Sequence, residues 1–199
     1  PLSDGRELYR LTEIIHTDPA SLPKGASAEA VQSMFTYAMT VIKEKRAQPG
    51  EDLASQLLQA ELDGRRLTDE EFLLFFMLLV DAGGDTTRNL VGTGTYELIH
   101  SAGAWEQLAE DPVGRLPLAT EELLRLTSPV IYMRRTLTQD HVLNGQLMQK
   151  GDKVVMYYGA ANRDSRMFTK PHQLDLRRQQ ARHLAFGGGH HVCLGQWYA

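Results

Sequence analysis

One stretch constrains the fold of this chain more than any other: residues 68–97 carry the pattern of a single long helix. Thr68 is followed three residues later by Glu71, the spacing of a capping box at a helix start. A helix of about 30 residues would be a rod of about 45 Å. Its first part, residues 72–80, is apolar on every side. We expect such a helix to be buried all round in the middle of a protein.

The rest of the chain predicts shorter helices followed by short strands. Apolar residues recur at helical spacing near residues 8–15, 27–45, 52–60, 104–109 and 116–126. After Pro129 the pattern changes: Asn144-Gly145 marks a turn and residues 153–157 are β-prone. The fold class we predict is mainly α with small β-sheets (α+β). The chain has 199 residues, enough to bury a sizeable core.

Charge and cysteine content exclude several classes of protein. The net charge is −4 and no segment is a basic block, which argues against nucleic acid as a partner. A single cysteine cannot close an intrachain disulfide, so a stapled secreted fold is excluded. The longest apolar run, residues 72–80, is far shorter than the roughly 20 residues that span a bilayer. We therefore expect no membrane span and a cytoplasmic location.

The centre of the long helix contains the run Gly83-Gly84-Asp85-Thr86. Each glycine costs about 1 kcal/mol relative to alanine inside a helix. One interpretation is a local opening that leaves room for a ligand, with Asp85 and Thr86 supplying a proton path. The other is a helix end at the glycines, with Asp85 and Thr86 starting a new helix. Asp81, one turn earlier, either assists proton traffic or faces solvent.

Two adjacent glutamates on the helix near residues 116–126 are predicted to differ. At 100° per residue, Glu122 falls within the broad apolar face of this helix, whereas Glu121 points away from it. A carboxylate in an apolar face needs a partner, and Arg125 lies one turn on. We expect Glu122 and Arg125 to form a buried structural pair, with Glu121 as an exposed neighbour.

The glycine cluster at residues 186–195 surrounds the lone cysteine, Cys193. A phosphate cradle lacks the preceding strand and the lysine of a P-loop. A zinc site would use His183, His190, His191 and Cys193, but the usual ligand spacings are absent. A third interpretation is a single thiolate ligand on a tight loop, with Leu194-Gly195 leading into a helix whose N–H groups stabilise the thiolate. One soft axial ligand suits a haem iron.

In this order, the three patterns resemble the cytochrome P-450 family of haem-thiolate monooxygenases. The run 82–87 matches the acid–alcohol motif of the family's central helix, and Glu122 to Arg125 matches its E-x-x-R pair. The F-x-x-G-x-[HR]-x-C-x-G haem loop is matched at every defined position. Those positions are Phe186, Gly189, His191, Cys193 and Gly195. Segments 128–130, 161–164 and 183–186 are similar to the bacterial branch, so the resemblance covers essentially the whole chain.

The resemblance implies haem b as cofactor, bound through Cys193 as the proximal thiolate. His191, Arg135 and His183 match positions that hold the haem propionates, and Phe186 would shield the sulfur. Gly189 and Gly195 belong to the same cofactor-binding loop.

It also implies catalytic roles for Asp85 and Thr86, which would deliver protons to dioxygen at the haem. Glu122 and Arg125 would form a structural network with Arg178. Substrate-pocket residues would be Ala82, Val130, Ile131 and Met133. The implied reaction is insertion of one oxygen atom into a C–H bond of a hydrophobic, sterol-like or fatty-acid-like substrate. A ferredoxin/reductase-type donor would supply the electrons.

The family's usual chain is longer, so we expect 1–199 to be a partial single domain, the C-terminal part of the cytochrome P-450 fold. Residues 1–67 would be lid-type helices and a connection, and 68–100 the central helix. Residues 101–158 would be a helix pair and small sheet, and 159–199 the meander, haem loop and start of the next helix. The alternative is a non-catalytic helical fragment that self-associates without haem.

Overall fold

The computed structural model describes residues 2–179 and 182–197, without the side chains of Leu2 and Ser3. The chain divides into two compact units, Pro1–Asp85 and Thr86–Ala199. The boundary falls inside the longest helix, and each unit has hydrophobic clusters of its own.

Helices dominate, with three small antiparallel sheets. The helices are α1 Leu2–His16, α2 Ala26–Ala47, α3 Leu53–Gln59, α4 Asp69–His100, α5 Ala104–Glu110, α6 Pro112–Thr127 and α7 Tyr158–Ala161. The strands are β1 Glu61–Leu62, β2 Arg65–Arg66, β3 Tyr132–Thr136, β4 His141–Leu143, β5 Gln146–Met148 and β6 Lys153–Tyr157. They pair as β1–β2, β3–β6 and β4–β5. The predicted mainly α class with small sheets is confirmed.

The first unit is held together by two apolar clusters between its helices. Leu11 of α1 packs with Ala30 and Met34 of α2, and Met77 and Val80 of α4 join them. A second cluster brings Ile42 of α2 and Leu58 of α3 onto Phe72 of α4, together with further apolar residues of these helices. The predicted amphipathic faces of the early helices therefore meet the start of α4.

Helix α4 begins with the predicted capping box. The backbone N–H of Thr68 donates to Glu71 Oε2 at 2.9 Å, and the N–H of Glu71 donates to Thr68 Oγ1 at 3.2 Å. The helix then continues without interruption to His100. The alternative of a helix end at Gly83-Gly84 is therefore wrong. The helical i→i−4 hydrogen bonds continue across the two glycines, although glycine has a low helix propensity.

The prediction that the first part of α4 is buried on every side is wrong for this chain. Phe72 is 1% exposed, but Leu74 and Leu78 on another face are 51% and 56% exposed. Helices α1 to α3 cover one side of α4. The side that carries Leu74 and Leu78 is left more than half exposed.

In the second unit, α6 is the central element. Ala119 packs with Leu98, Ala104 and Leu176, and Leu124 packs with Leu90 of α4 and with Ala185. The helix ends at Thr127 because Ser128 adopts the left-handed region, with φ +45°, and Pro129 follows.

This unit contains two of the small sheets, both formed by the chain that follows α6. Strands β3 and β6 pair in the register Tyr132↔Tyr157 to Thr136↔Lys153. The β4–β5 hairpin turns at Asn144-Gly145, where both residues have positive φ, as the sequence predicts for a two-residue turn. Among the described residues, no helix is both long and apolar enough to cross a bilayer.

Candidate functional site

The loop around Cys193 is a tight turn closed on itself by one backbone hydrogen bond. The N–H of Cys193 donates to the carbonyl of Phe186 at 2.9 Å. Between them, Gly189–His191 form one turn of 3-10 helix. Cys193 is a free, exposed thiol. The loop therefore holds the cysteine backbone in place while its sulfur faces outward.

Glycine is required at the first position of the Gly187-Gly188-Gly189 run. Gly187 has φ +69°, and a Cβ there would lie 3.2 Å from the hydroxyl oxygen of Tyr158 and 3.4 Å from the carbonyl oxygen of His191. Gly189 also has positive φ, whereas Gly188 is extended with φ −169°. The motif pointed to Gly189 and Gly195 but not to Gly187. Sequence reasoning missed it because three consecutive glycines do not show which of them is constrained.

The helix predicted to start at Leu194-Gly195 is a turn in the described residues. The N–H of Gln196 lies 3.5 Å from the carbonyl oxygen of Cys193, the weak bond of a single turn. The last two residues, 198 and 199, lie outside the described residues, so the predicted helix beyond this turn stays a prediction.

Two of the residues assigned to the propionates, His191 and Arg135, have side chains that are at least partly exposed. His191 is exposed at the end of the 3-10 turn. Arg135 is half-buried on β3, and its Nη1 donates to the carbonyl of Arg134 at 3.1 Å. Among the described residues, neither forms an ion pair with a carboxylate. Both therefore keep donor capacity for an anionic group.

His183 does not fit the propionate role that the resemblance assigned to it. Its side chain is only 6% exposed, and its Nε2 lies 2.9 Å from Glu121 Oε2. Its Nδ1 accepts from the N–H of Ala185 at 3.2 Å. Both ring nitrogens are therefore used inside the protein. Glu121, expected to be an exposed neighbour, is the partner of His183 and only partly exposed.

Glu122 and Arg125 are buried together, as the helical geometry requires. Arg125 donates from Nε and Nη2 to the two carboxylate oxygens of Glu122 at 2.7 and 2.8 Å, and both side chains are 2% exposed. Arg178 adds a third bond, from Nε to Glu122 Oε2 at 2.9 Å. The structure thus brings together the three residues that the resemblance assigned to one network.

The remaining donors of the two arginines hold the segment after α7. Arg125 Nη1 donates to the carbonyls of Asn162 and Pro171 at 2.7 and 2.8 Å, and its guanidinium lies over the ring of Phe168. Arg178 Nη1 donates to the carbonyl of Thr169 at 2.8 Å. Buried charges with such complete hydrogen bonding fix the backbone that precedes the cysteine loop.

Asn162 is a buried residue whose side chain bonds to two separate segments, and the sequence did not single it out as a site residue. Its Nδ2 donates to Ser128 Oγ at 2.9 Å, and its Oδ1 accepts from the N–H of Leu184 at 2.6 Å. It is 1% exposed. The run Ala161-Asn162-Arg163-Asp164 was visible in the sequence, but nothing in the run itself indicates a partner more than 20 residues away.

The acid–alcohol run lies on α4. Asp85 and Thr86 are half-buried and Ala82 is exposed. Apart from the adjacent residues and the neighbouring backbone of α4, no described atom lies within 4 Å of a Cβ placed on Gly83, so a side chain could be accommodated there. Asp81 is bound to His16, with 2.6 Å between Oδ1 and Nε2. The alternative that Asp81 merely faces solvent is therefore wrong, although the pair is partly exposed.

The residues assigned to the substrate pocket after α6 expose apolar surface. Ile131 is 65% exposed and Met133 42%, while Val130 is half-buried.

The zinc alternative finds no support, since the side chain of His183 is bound to Glu121. The described residues contain no group of three or more His, Cys, Asp or Glu side chains placed to hold a metal ion.

The cytochrome P450 family model matches residues 6–199. A methyl-branched lipid omega-hydroxylase of Mycobacterium tuberculosis is 46% identical over 160 residues, which are 80% of this chain and 37% of that protein. A steroid C26-monooxygenase of Mycolicibacterium smegmatis is 38% identical over 184 residues, covering 92% of this chain and 45% of that protein.

Solved structures agree with the family match. CYP109E1 from Bacillus megaterium, in complex with corticosterone, gives a TM-score of 0.90 at 35% identity. The alignment covers 100% of this chain and 54% of that one. Cytochrome P450 CYP268A2 of Mycobacterium marinum, in complex with pseudoionone, gives 0.91 at 37% identity, covering 98% and 49%. The chain spans about half or less of the length of these relatives. A family model that matches nearly every residue, on the fold and motifs described above, shows that this chain belongs to the cytochrome P450 family.

Proposed function

We propose that this chain is part of a haem-thiolate monooxygenase in which the Cys193 thiolate would hold haem b. The observation that carries the proposal is the Cys193 loop. Its backbone is fixed by the Cys193–Phe186 hydrogen bond, yet its thiol is exposed. Members of this family hold haem b through a cysteine thiolate. A thiolate on iron donates electron density that favours O–O cleavage.

The residues around Cys193 fit such a group. A Cβ on Gly188 or Gly189 would meet no described atom within 4 Å, and a Cβ on Gly195 would lie 3.9 Å from the sulfur of Cys193. The glycines of the loop therefore add no side-chain bulk near the thiol. Leu194, 70% exposed, and Val192, 44% exposed, add apolar surface on either side of it. A flat apolar group can approach the sulfur here.

Charge complementarity supports roles for Arg135 and His191. The propionates of haem are anionic, and both side chains keep donors that no described carboxylate takes up. Charge-assisted hydrogen bonds from them would orient the group. Phe186 is half-buried on the cluster of Leu90, Leu124 and Ala185, so its ring fills the inner side of the loop.

Asp85 and Thr86 are proposed to move protons. A carboxyl and a hydroxyl on successive residues of one helix form the start of a proton relay, and Gly83 leaves space beside them. The overall reaction would consume dioxygen, two electrons and two protons. One oxygen atom enters a C–H bond of the substrate as a hydroxyl and the other leaves as water. The electrons would come from a ferredoxin-type donor.

We propose a hydrophobic substrate of the lipid or steroid class. The exposed apolar side chains of Ile131 and Met133 offer surface for such a molecule. The names of two relatives, a methyl-branched lipid omega-hydroxylase and a steroid C26-monooxygenase, support this class of substrate. Addition of a methyl-branched fatty acid, or of a sterol with an alkyl side chain, to the haem-loaded protein should shift its main absorption band, and a titration measures this shift.

The proposal is tested with Cys193→Ala in the natural full-length protein. The reduced wild type in carbon monoxide should show the strongly red-shifted band of thiolate-ligated haem, and the variant should lose it. Thr86→Ala should keep that band but lower the hydroxylated product formed per dioxygen consumed, because proton supply is impaired. A band that persists in Cys193→Ala contradicts the assignment of the ligand.

A further inference from the structure

The four residues that lead into the cysteine loop, His183 to Phe186, are held by two side chains outside the haem-loop motif. Asn162 Oδ1 accepts from the N–H of Leu184 at 2.6 Å. Glu121 Oε2 lies 2.9 Å from His183 Nε2. Asn162 follows α7 and Glu121 lies on α6, so the two contacts come from separate elements. We call these four residues the lead-in segment.

The hydrogen bonds of His183 define its tautomer. Because the N–H of Ala185 donates to Nδ1, that nitrogen carries no proton. The proton must then be on Nε2, which donates it to the carboxylate of Glu121. His183 is therefore a neutral imidazole that connects a glutamate on α6 to the backbone of the loop.

The lead-in segment is also the anchor of Cys193. The carbonyl of Phe186, its last residue, accepts the N–H of Cys193 at 2.9 Å. The rings of Phe186 and His183 are in contact, with centroids 5.9 Å apart. A shift of His183 would move Phe186, and the cysteine backbone would follow.

The attachment points of the lead-in segment are themselves rigid. Glu121 is adjacent to Glu122, which is bound by Arg125 and Arg178. Asn162 is fixed by Ser128 through its Nδ2 and by Arg125 through its carbonyl oxygen. The same buried network therefore supports both contacts to the segment.

We propose that Glu121, acting through neutral His183, is a positioning residue for the Cys193 thiolate, with Asn162 as the second anchor. This rests on the proposed role of Cys193 as the haem ligand. In this view His183 contributes to the cofactor site by holding the loop and not by binding a propionate.

Three variants of Glu121 in the natural full-length protein separate geometry from charge. Glu121→Gln keeps an oxygen that can accept from His183 Nε2. Glu121→Asp keeps the charge but shortens the side chain by one methylene. Glu121→Ala removes the contact. Glu106→Ala is the matched control, because Glu106 is an exposed glutamate on α5.

Amide hydrogen exchange of the haem-free protein is the first readout. In Glu121→Ala and Glu121→Asp, the amides of Ala185 and Cys193 should exchange about tenfold faster or more, because a charge-assisted hydrogen bond is lost. In Glu121→Gln the change should be smaller. Since Glu121 is partly exposed, these substitutions are compatible with a folded protein.

The second readout is the carbon monoxide spectrum of the reduced, haem-loaded protein. Glu121→Ala should lower the fraction of haem with an intact thiolate, whereas Glu106→Ala should not. Exchange and spectra equal to those of Glu106→Ala would overturn the proposal. If Cys193→Ala keeps the red-shifted band, the haem-ligand proposal fails separately, and the exchange data still decide whether Glu121 positions the loop.

Discussion

At the scale of single residues, neighbouring glycines in the cysteine loop have different requirements. Gly187 has φ +69° and a close approach to Tyr158, whereas Gly188 is extended with no described atom near a Cβ. Gly187→Ala should lower the free energy of unfolding by about 1–2 kcal/mol, because an L residue is strained in the left-handed region. Gly188→Ala, the matched control, should have little effect in the same denaturant titration. Equal losses in the two variants would contradict this account of the loop.

The buried carboxylate of Glu122 should matter more than any exposed charge in this unit. Glu122→Ala removes the carboxylate that pairs with both Arg125 and Arg178. Arg125 is only 1% exposed, so its charge would stay buried without this partner. We expect a loss of about 3–5 kcal/mol in the free energy of unfolding, the usual effect of breaking a buried pair. Glu106→Ala should leave the unfolding midpoint unchanged. A loss for Glu122→Ala as small as that of the control would show that the pair adds little to stability.

These residues also mark what the sequence could and could not predict at the site. Glu122 and Arg125 are three residues apart on one helix, so helical periodicity alone brought them together. His183 was assigned to a propionate because its true partner, Glu121, lies 62 residues away in the sequence. Asn162 escaped notice for the same reason. Contacts that form only through tertiary packing leave no periodic pattern in the local sequence from which they could be predicted.

At the scale of elements, the capping box located one helix start well, whereas periodicity placed the starts of α1 and α6 four or more residues too late and predicted burial poorly. The capping box placed the start of α4 correctly because both hydrogen bonds lie within one turn. Whether α4 ends at Gly83-Gly84 or continues could not be decided, since glycine is compatible with either outcome. The exposure of Leu74 and Leu78 was missed because periodicity shows which residues are apolar and not what covers them.

The start of α4 should be sensitive to acid. Arg65 donates to both carboxylate oxygens of Glu71, at 2.7 and 2.8 Å, and Thr68 donates its N–H. The Arg65 bond, followed by that of Thr68, lowers the pKa of Glu71 from 4.5 to about 2. Because the folded-state pKa is the lower one, this contribution is complete above pH 4.5 and is lost as the pH falls toward about 2.

The measurement compares wild type with Glu71→Gln across that range. The difference between their unfolding midpoints should be constant above about pH 5 and should shrink between 4.5 and about 2. Using the difference removes the effect of other carboxyls, such as Asp52, whose pKa is also lowered to about 2 by Lys45. A difference that does not change with pH would mean that the charge of Glu71 is unimportant to the helix start.

At the scale of the whole molecule, apolar side chains stand exposed on both units. In the first, Leu74 and Leu78 lie one turn apart on α4. In the second, Ile131, Leu194 and Trp197 are 65%, 70% and 85% exposed. Contiguous apolar surface of more than a few hundred Å² promotes association in water. With a net charge of only −4, electrostatic repulsion between copies is weak.

We therefore expect the 199-residue chain, produced by itself, to self-associate. Light scattering should show a mean mass that rises with concentration above the 22.3 kDa of one chain. The double variant Leu74→Gln/Leu78→Gln should lower that mass, because it replaces the exposed apolar ridge of α4 with uncharged polar groups of similar size. Ala82→Gln, an exposed position on the same helix that removes no large apolar side chain, is the control. A constant mass of one chain at every concentration would show that the exposed apolar side chains are too dispersed to drive association.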